Sequence, residues 1–271
     1  MKRSEKLPFG RAIIDRRTGL PVGPIAPIYE EDWPYKRISD SEVLWRYMDL
    51  FKFKDLMESS TLYFARPDKF KDPFEGRLHP GGDNNRSKSE DAFRDIYKIM
   101  GNQSEYSETH RNVVFILCWH RNTREIRRMW DAYTGSPESV AVTTSGKALR
   151  GLASRKLIMW PVKYTPLDRQ RTRFDHSSLF FYKPSEYAFE REFRLLRQPC
   201  DGEVFCFDDA NDEYRRVQIC LRKIVHRVIL HPEADGKTMD AVLDLMFRHL
   251  KGVPLMRSSL DVRRSAIKTS G

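Results

Sequence analysis

Apolar and polar positions alternate over residues 43–48, with Trp45 and Tyr47 on one side and Leu44, Arg46 and Met48 on the other. That period of two predicts a strand. Phe53, Leu56 and Met57 then fall on one face of a short helix over 51–58, and residues 61–65 read as a second strand. Ser87 and Glu90 make a capping box for a helix whose inward positions are Phe93, Ile96, Ile99 and Met100. Residues 111–119 predict a buried strand. Ile126, Met129, Trp130 and Tyr133 follow the i, i+3, i+4, i+7 spacing of a helix buried on one side. Further strands are expected at 139–143, 157–164, 190–196, 203–207 and 217–220. The chain closes as β-α-β over 224–230, 237–250 and 253–257. Adjacent strands interspersed with few helices predict an α+β protein, with a mixed, mostly antiparallel central sheet and flanking helices.

The same pattern sets the organisation. Residues 1–40 carry prolines at 8, 21, 24, 27 and 34 without sustained periodicity, and read as an extended arm. Residues 41–260 form one α+β domain, interrupted by a polar loop at 79–90, and 261–271 are a flexible basic tail. Hydrophobic residues make up 40% of the 271 and aromatics 12%, enough for a substantial core. The longest apolar run, residues 113–119, is far below the ~20 residues that cross a bilayer. The basic start has no apolar segment after it, so a cytoplasmic protein without membrane contact is expected. Cys118, Cys200, Cys206 and Cys220 show no paired spacing and read as free thiols. The net charge of +10 is concentrated: residues 150–200 hold eleven Lys or Arg against five acids. Such a face attracts nucleic acid, a dinucleotide pyrophosphate or another polyanion.

Several motifs point to a group. The stretch 61–76, TLYFARPDKFKDPFEG, resembles an uncharacterised bacterial domain-of-unknown-function family, the DPFEG-loop proteins. LWRY at 44–47, ILCWH at 116–120, MWDAY at 129–133, FEREFRLL at 189–196 and the closing MRSSL are similar in order. Lys71 stands where that family usually has Asn. The resemblance implies a fold over about residues 41–260 but no settled activity.

A second resemblance carries chemistry. Arg46 in the opening strand, Thr143-Thr144-Ser145 ending a middle strand and Glu190-Arg191-Glu192 beginning a later one look like the Arg, Ser-Thr-Ser, Glu-x-Glu series of arginine-type ADP-ribosyltransferases. This implies an NAD-dependent enzyme, with NAD as substrate and a role in bacterial defence or toxin-type modification. Breaking the nicotinamide–ribose bond develops positive charge on the sugar, which a carboxylate beside it stabilises; Glu192 is the candidate. Glu190, two residues earlier on the same strand face, is the candidate for activating an acceptor. Arg46 has the forked donors that clamp a pyrophosphate, and the hydroxyls of Thr144 and Ser145 suit holding the glutamate.

Other readings stay open. Glu190, Glu192 and Arg194 on one face also describe a solvated strand edge. Thr143-Thr144-Ser145 also describes a helix cap. Asp72 and Glu75 of the DPFE loop, with Arg66, form a candidate ligand loop or a structural turn stiffened by Pro73. With Glu190 and Glu192 they also suit a metal-dependent nuclease, since hard cations take clustered carboxylates. Cys118 and His120, with His79 and His110, lack a second ligand pair at zinc spacing. The arginines at 121, 124, 127 and 128 fit a solvated face, Tyr182, Tyr187 and Phe189 among basic residues fit base stacking or an ordinary core edge, and the basic face suits a non-catalytic nucleic-acid-binding module.

Overall fold

Two helix caps and one forked strand set the frame. Asp49 ends strand β3 (Val43–Asp49) and accepts the Lys52 amide at 2.7 Å, starting helix α1 (Leu50–Ser59). Ser60 takes a left-handed conformation and returns the chain directly into β4 (Thr61–Ala65). Near the other end, Asp235 accepts the Thr238 amide and starts the long helix α5 (Gly236–His249). The computed structural model describes residues 12–14, 21–24, 38–72, 75–76, 111–112, 114–152, 157–165, 180–197 and 213–261. Between these helices come α2 (Arg127–Tyr133), α3 (Gly146–Arg150) and α4 (Leu221–Ile224).

Nine strands share one sheet. Along its main path β11 (Tyr214–Gln218), β4, β5 (Phe115–Arg121), β3, β6 (Ser139–Ser145), β12 (Arg227–Leu230) and β13 (Leu255–Met256) follow one another. A branch adds β10 (Glu192–Arg197) beside β5 and β7 (Leu157–Pro161) beside β10. All pairings in this sheet are antiparallel except β12 with β13, so the fold is α+β with a mixed, mostly antiparallel sheet and flanking helices. Two small sheets accompany it: β1 (Ala12–Ile14) with β2 (Pro21–Pro24), and β8 (Lys163–Thr165) parallel to β9 (Tyr182–Pro184).

The fork lies at β5. Its whole length from Phe115 to His120 pairs with β10, which uses one edge. A strand has two edges, so β3 and β4 share the other: β3 meets it at His120 and Arg121, β4 at Ile116. Arg46 on β3 comes just past the last paired residue, at the mouth of the fork.

The pleat then sorts side chains by face. Trp45 pairs His120, His120 pairs Glu192, and Cys118 pairs Arg194, which pairs Trp160, so these residues share one side. Leu44, Met48, Leu117, Trp119, Phe193 and Leu195 take the other side, where they join the buried residues of α1 and α5 in the main core. On the first side Trp45, Tyr47, Met129 and Trp130 form a smaller aromatic cluster under α2. Buried Glu125 anchors the chain end there, accepting from Trp130 Nε1 at 3.1 Å, Ser258 Oγ at 2.7 Å and the Ser259 amide.

Several expected elements shift. Residues 111–119 become β5 at Phe115–Arg121, and 157–164 split into β7 and β8. The strand expected at 224–230 is the one-turn α4 followed by β12, and that at 253–257 shortens to β13. The strand expected from residue 190 starts at Glu192: residues Ser185–Glu190 are a 3-10 helix, and Arg191 turns the chain at φ 42°. The helix over 87–100, the loop at 79–90, the strand at 203–207 and the tail beyond Asp261 lie outside the described residues. Among the described residues, no helix is long and apolar enough to cross a membrane.

Replacing Asp49 with Ala removes the α1 cap and should cost about 1 kcal/mol, read as a lower denaturation midpoint at unchanged slope.

Candidate functional site

Three carboxyls and two cations are buried together where β10 leaves the 3-10 helix. Arg194, with no exposed surface, holds Glu75 in a fork, Nη1 to Oε1 at 2.5 Å and Nη2 to Oε2 at 2.8 Å. Its Nη1 also donates to the Phe180 carbonyl, and its Nε donates to Glu192 Oε2 at 2.5 Å. Lys183 of β9 donates to the other Glu192 oxygen at 2.8 Å and to Glu190. The Tyr164 hydroxyl accepts the Glu192 amide at 2.8 Å, and the Tyr133 hydroxyl lies near Glu190. His120 donates from Nδ1 to the Glu190 carbonyl, which fixes its tautomer and leaves Nε2 a buried acceptor with no partner among the described residues.

The loop that carries Glu75 is shaped by its neighbour. Gly76 sits at φ 70°, and a Cβ there would lie 2.2 Å from the Phe180 ring. Only glycine serves at that position, which accounts for the Glu-Gly end of the motif.

Charge balance decides the proton affinities. Two cations cannot neutralise three carboxylates, and the surplus falls on Glu190. Burial, the hydrogen bond that its protonated form donates to Glu192, and the Glu192 charge push the Glu190 carboxyl up to about 7. Burial works against ionising Glu192 as well, but Arg194 and Lys183 hold its carboxyl well below the usual range. The pair therefore shares one proton near neutrality. Burial also holds Glu75 above its usual range with Arg194 pulling the other way; the forked geometry is that of an ion pair. Burial and the two glutamates push the Tyr133 and Tyr164 hydroxyls far up, and burial lowers His120 so that it stays neutral.

The expected site residues divide. Glu190 and Glu192 meet on Lys183, though not as a regular strand face: Glu190 reaches it from the 3-10 helix through the Arg191 turn. Glu75 joins them through Arg194. A solvated edge is excluded for Glu192 and Arg194, because β10 runs between β5 and β7 and both side chains are buried. Thr144 and Ser145 do not hydrogen-bond the glutamate. Their strand β6 is three strand spacings from β10, roughly 14 Å. Ser145 instead caps α3 by accepting the Ala148 amide at 3.2 Å, and the Thr144 hydroxyl is buried without a partner among the described residues. Arg46 stands on the pleat opposite Trp45 and feels Asp55 and Cys118 rather than the glutamates. Its half-buried guanidinium makes no hydrogen bond or ion pair among the described residues, and burial lowers it to about 10. Arg66 is committed to Asp68, at 2.6 Å, and Asp72 is buried near Tyr187.

The sequence reading missed Lys183, Tyr133, Tyr164 and His120 as members. The nuclease arrangement does bring Glu75 and Glu192 onto one partner, but that partner is Arg194, and Lys183 occupies the oxygens facing Glu190. Among the described residues no group of three or more His, Cys, Asp or Glu is arranged to hold a metal ion. Tyr182, Tyr187 and Phe189 lie under Lys163, Lys183 and Arg128, the last at 3.7 Å, so those faces are already covered. Lys183 and Arg194 also leave the expected basic face, being buried in the cluster.

No family model matches the chain, and no curated protein does. Among solved structures it is similar to Thermus sp. 2.9 DarT in complex with NAD+, at 8% identity and a TM-score of 0.38, over 83% of this chain and 98% of that one. At that TM-score two chains need not share a fold.

Two outcomes follow from the cluster. Arg194→Met strands two buried carboxylates and should cost about 3–5 kcal/mol of unfolding free energy. The folded Glu190 carboxyl binds its proton more tightly than the unfolded one, whose value is 4.5. That stabilisation is complete below pH 4.5 and is lost as pH rises through about 7. The melting temperature of Glu190→Gln should therefore lack the decline that the parent shows across this interval. Glu192, held low, acts in the other window: its stabilisation is lost as pH falls below 4.5.

Proposed function

We propose that the protein is an ADP-ribosyltransferase-like enzyme that breaks the nicotinamide–ribose bond of NAD, with Glu190 and Glu192 at its centre. The observation that carries this reading is the proton-sharing pair: one carboxyl held ionised by two cations, its neighbour titrating at about 7. Buried groups whose proton affinities are driven apart are the usual form of an acid–base site.

The chemistry assigns each a task. The C1′–N bond breaks with its electron pair passing to the ring nitrogen, so nicotinamide leaves neutral and positive charge appears on the ribose. Glu192, fixed by Lys183 and Arg194, supplies the anion beside that charge. The acceptor, water or another nucleophile, forms the new bond at C1′ and gives its proton to ionised Glu190. Tyr133 spans from the partly exposed rim of α2 to Glu190 and offers a route for that proton to solvent. His120 Nε2, a buried lone pair with no donor among the described residues, suits a sugar hydroxyl. Arg46 and Thr144 have no part in this centre; the unpaired Arg46 remains the candidate for a phosphate held at the fork.

Nicotinamide release by the purified protein tests the reading. Glu190→Gln should slow release about 10²–10⁴-fold, the usual contribution of a general base. Release by the parent should rise with pH through about 7, as Glu190 ionises, and any residual activity of the variant should not. No NAD binding and no release, with cell extract supplied as acceptor, would refute it.

A further inference from the structure

We propose a second site: the open groove between α3 and α4 binds the phosphate backbone of a nucleic-acid strand. The groove has a volume of 510 Å³ and is lined by Lys147, Arg222, Lys223 and His226, with Leu152 and Ile219 in its floor. Among the described residues no acidic side chain lines it. All four basic side chains are exposed, and Lys147, Arg222 and Lys223 make no ion pair among the described residues. Several exposed cations elsewhere are matched: Lys52 with Asp49, Lys69 with Glu213, Arg127 with Asp131 and Glu233, Arg248 with Asp244. Three unmatched cations around one concavity repel one another, and a polyanion relieves that repulsion while releasing its counterions.

The form of the groove selects the occupant. A site for a small nucleotide encloses most of its ligand. This one is open, with its charges on the rim, as in contacts to a polymer backbone. Among the described residues no Phe, Tyr or Trp lines it, so it lacks a broad platform for stacking bases. Recognition through phosphates, without sequence preference, is what these side chains can provide. The groove belongs to the core side of the sheet: Leu149, Leu152, Ile219 and Ile224 pack with Phe193 and Leu195, on the face opposite Glu192. It is thus separate from the carboxylate cluster and stands or falls independently of NAD chemistry.

Binding of a short labelled single-stranded oligonucleotide, followed by fluorescence anisotropy over a salt series, tests this. The triple variant Lys147→Glu, Arg222→Glu, Lys223→Glu is compared with Lys237→Glu, Arg248→Glu, Lys251→Glu, which makes the same charge change on and just beyond α5. The groove variant should bind at least about tenfold more weakly, with a log–log salt slope shallower by about 2, near 0.7 per lost phosphate contact. The α5 variant should stay within about twofold of the parent in slope and affinity. Equal losses in both variants would show attraction to net charge alone and overturn the site. So would parent-like binding by the groove variant. Displacement of the oligonucleotide by ATP at equal phosphate concentration would reassign the groove to a small anion and overturn it too.

Discussion

Arg194 is the constraint around which the rest is arranged. A guanidinium with no exposed surface cannot give up its charge, so every donor needs an acceptor within reach. Its neighbours supply them from three parts of the chain: Glu75 from the loop after β4, the Phe180 carbonyl from the segment before β9, and Glu192 from its own strand. Meeting that demand draws these parts together. Phe180 then lies against Gly76, which must be glycine, and Lys183, three residues beyond Phe180, is delivered to the two glutamates. The ionisation of Glu192 and the surplus proton on Glu190 follow from the same arithmetic of charges. The one proton of this cluster is therefore set by the same contacts that hold the fold together.

Much of the frame was readable from the residues. The alternation in β3, the helical spacing of Phe53, Leu56 and Met57, and the amphipathic pattern over 237–250 are local signals, and local physics fixed those elements. The α+β class followed from their order. The site was half legible. Glu190 and Glu192 stood out because two carboxylates two residues apart are conspicuous, but their partners were not. Lys183 is one lysine among many, and nothing local tells a buried cation from a solvated one. Its role depends on the pairing of β8 with β9, a contact between distant segments. Thr144 and Ser145 failed for a related reason: order along the chain says nothing of how many strands intervene, and β5 and β3 lie between β6 and β10.

The pleat of the sheet keeps two polar features on opposite faces. One side of the sheet carries the carboxylate cluster beside the aromatic residues of β3 and α2; the other carries the hydrophobic core, with the basic groove at its margin. Arg46 stands where the sheet divides, its charge answered by no acid in contact.

The left-handed turn at Arg191 has a consequence for how this centre can change. In regular strand geometry residues 190 and 192 would be roughly 6.5 Å apart along the backbone, facing the same way but held at arm's length. The kink brings their carboxyls close enough to contest a proton, at a backbone cost of about 1–3 kcal/mol for a residue that is not glycine. The acidity of the pair is thus set by the peptide between them as well as by their own side chains. A lineage could tune that acidity by substituting position 191 while both glutamates stayed invariant, so identical carboxylates in two descendants need not mean identical working pH.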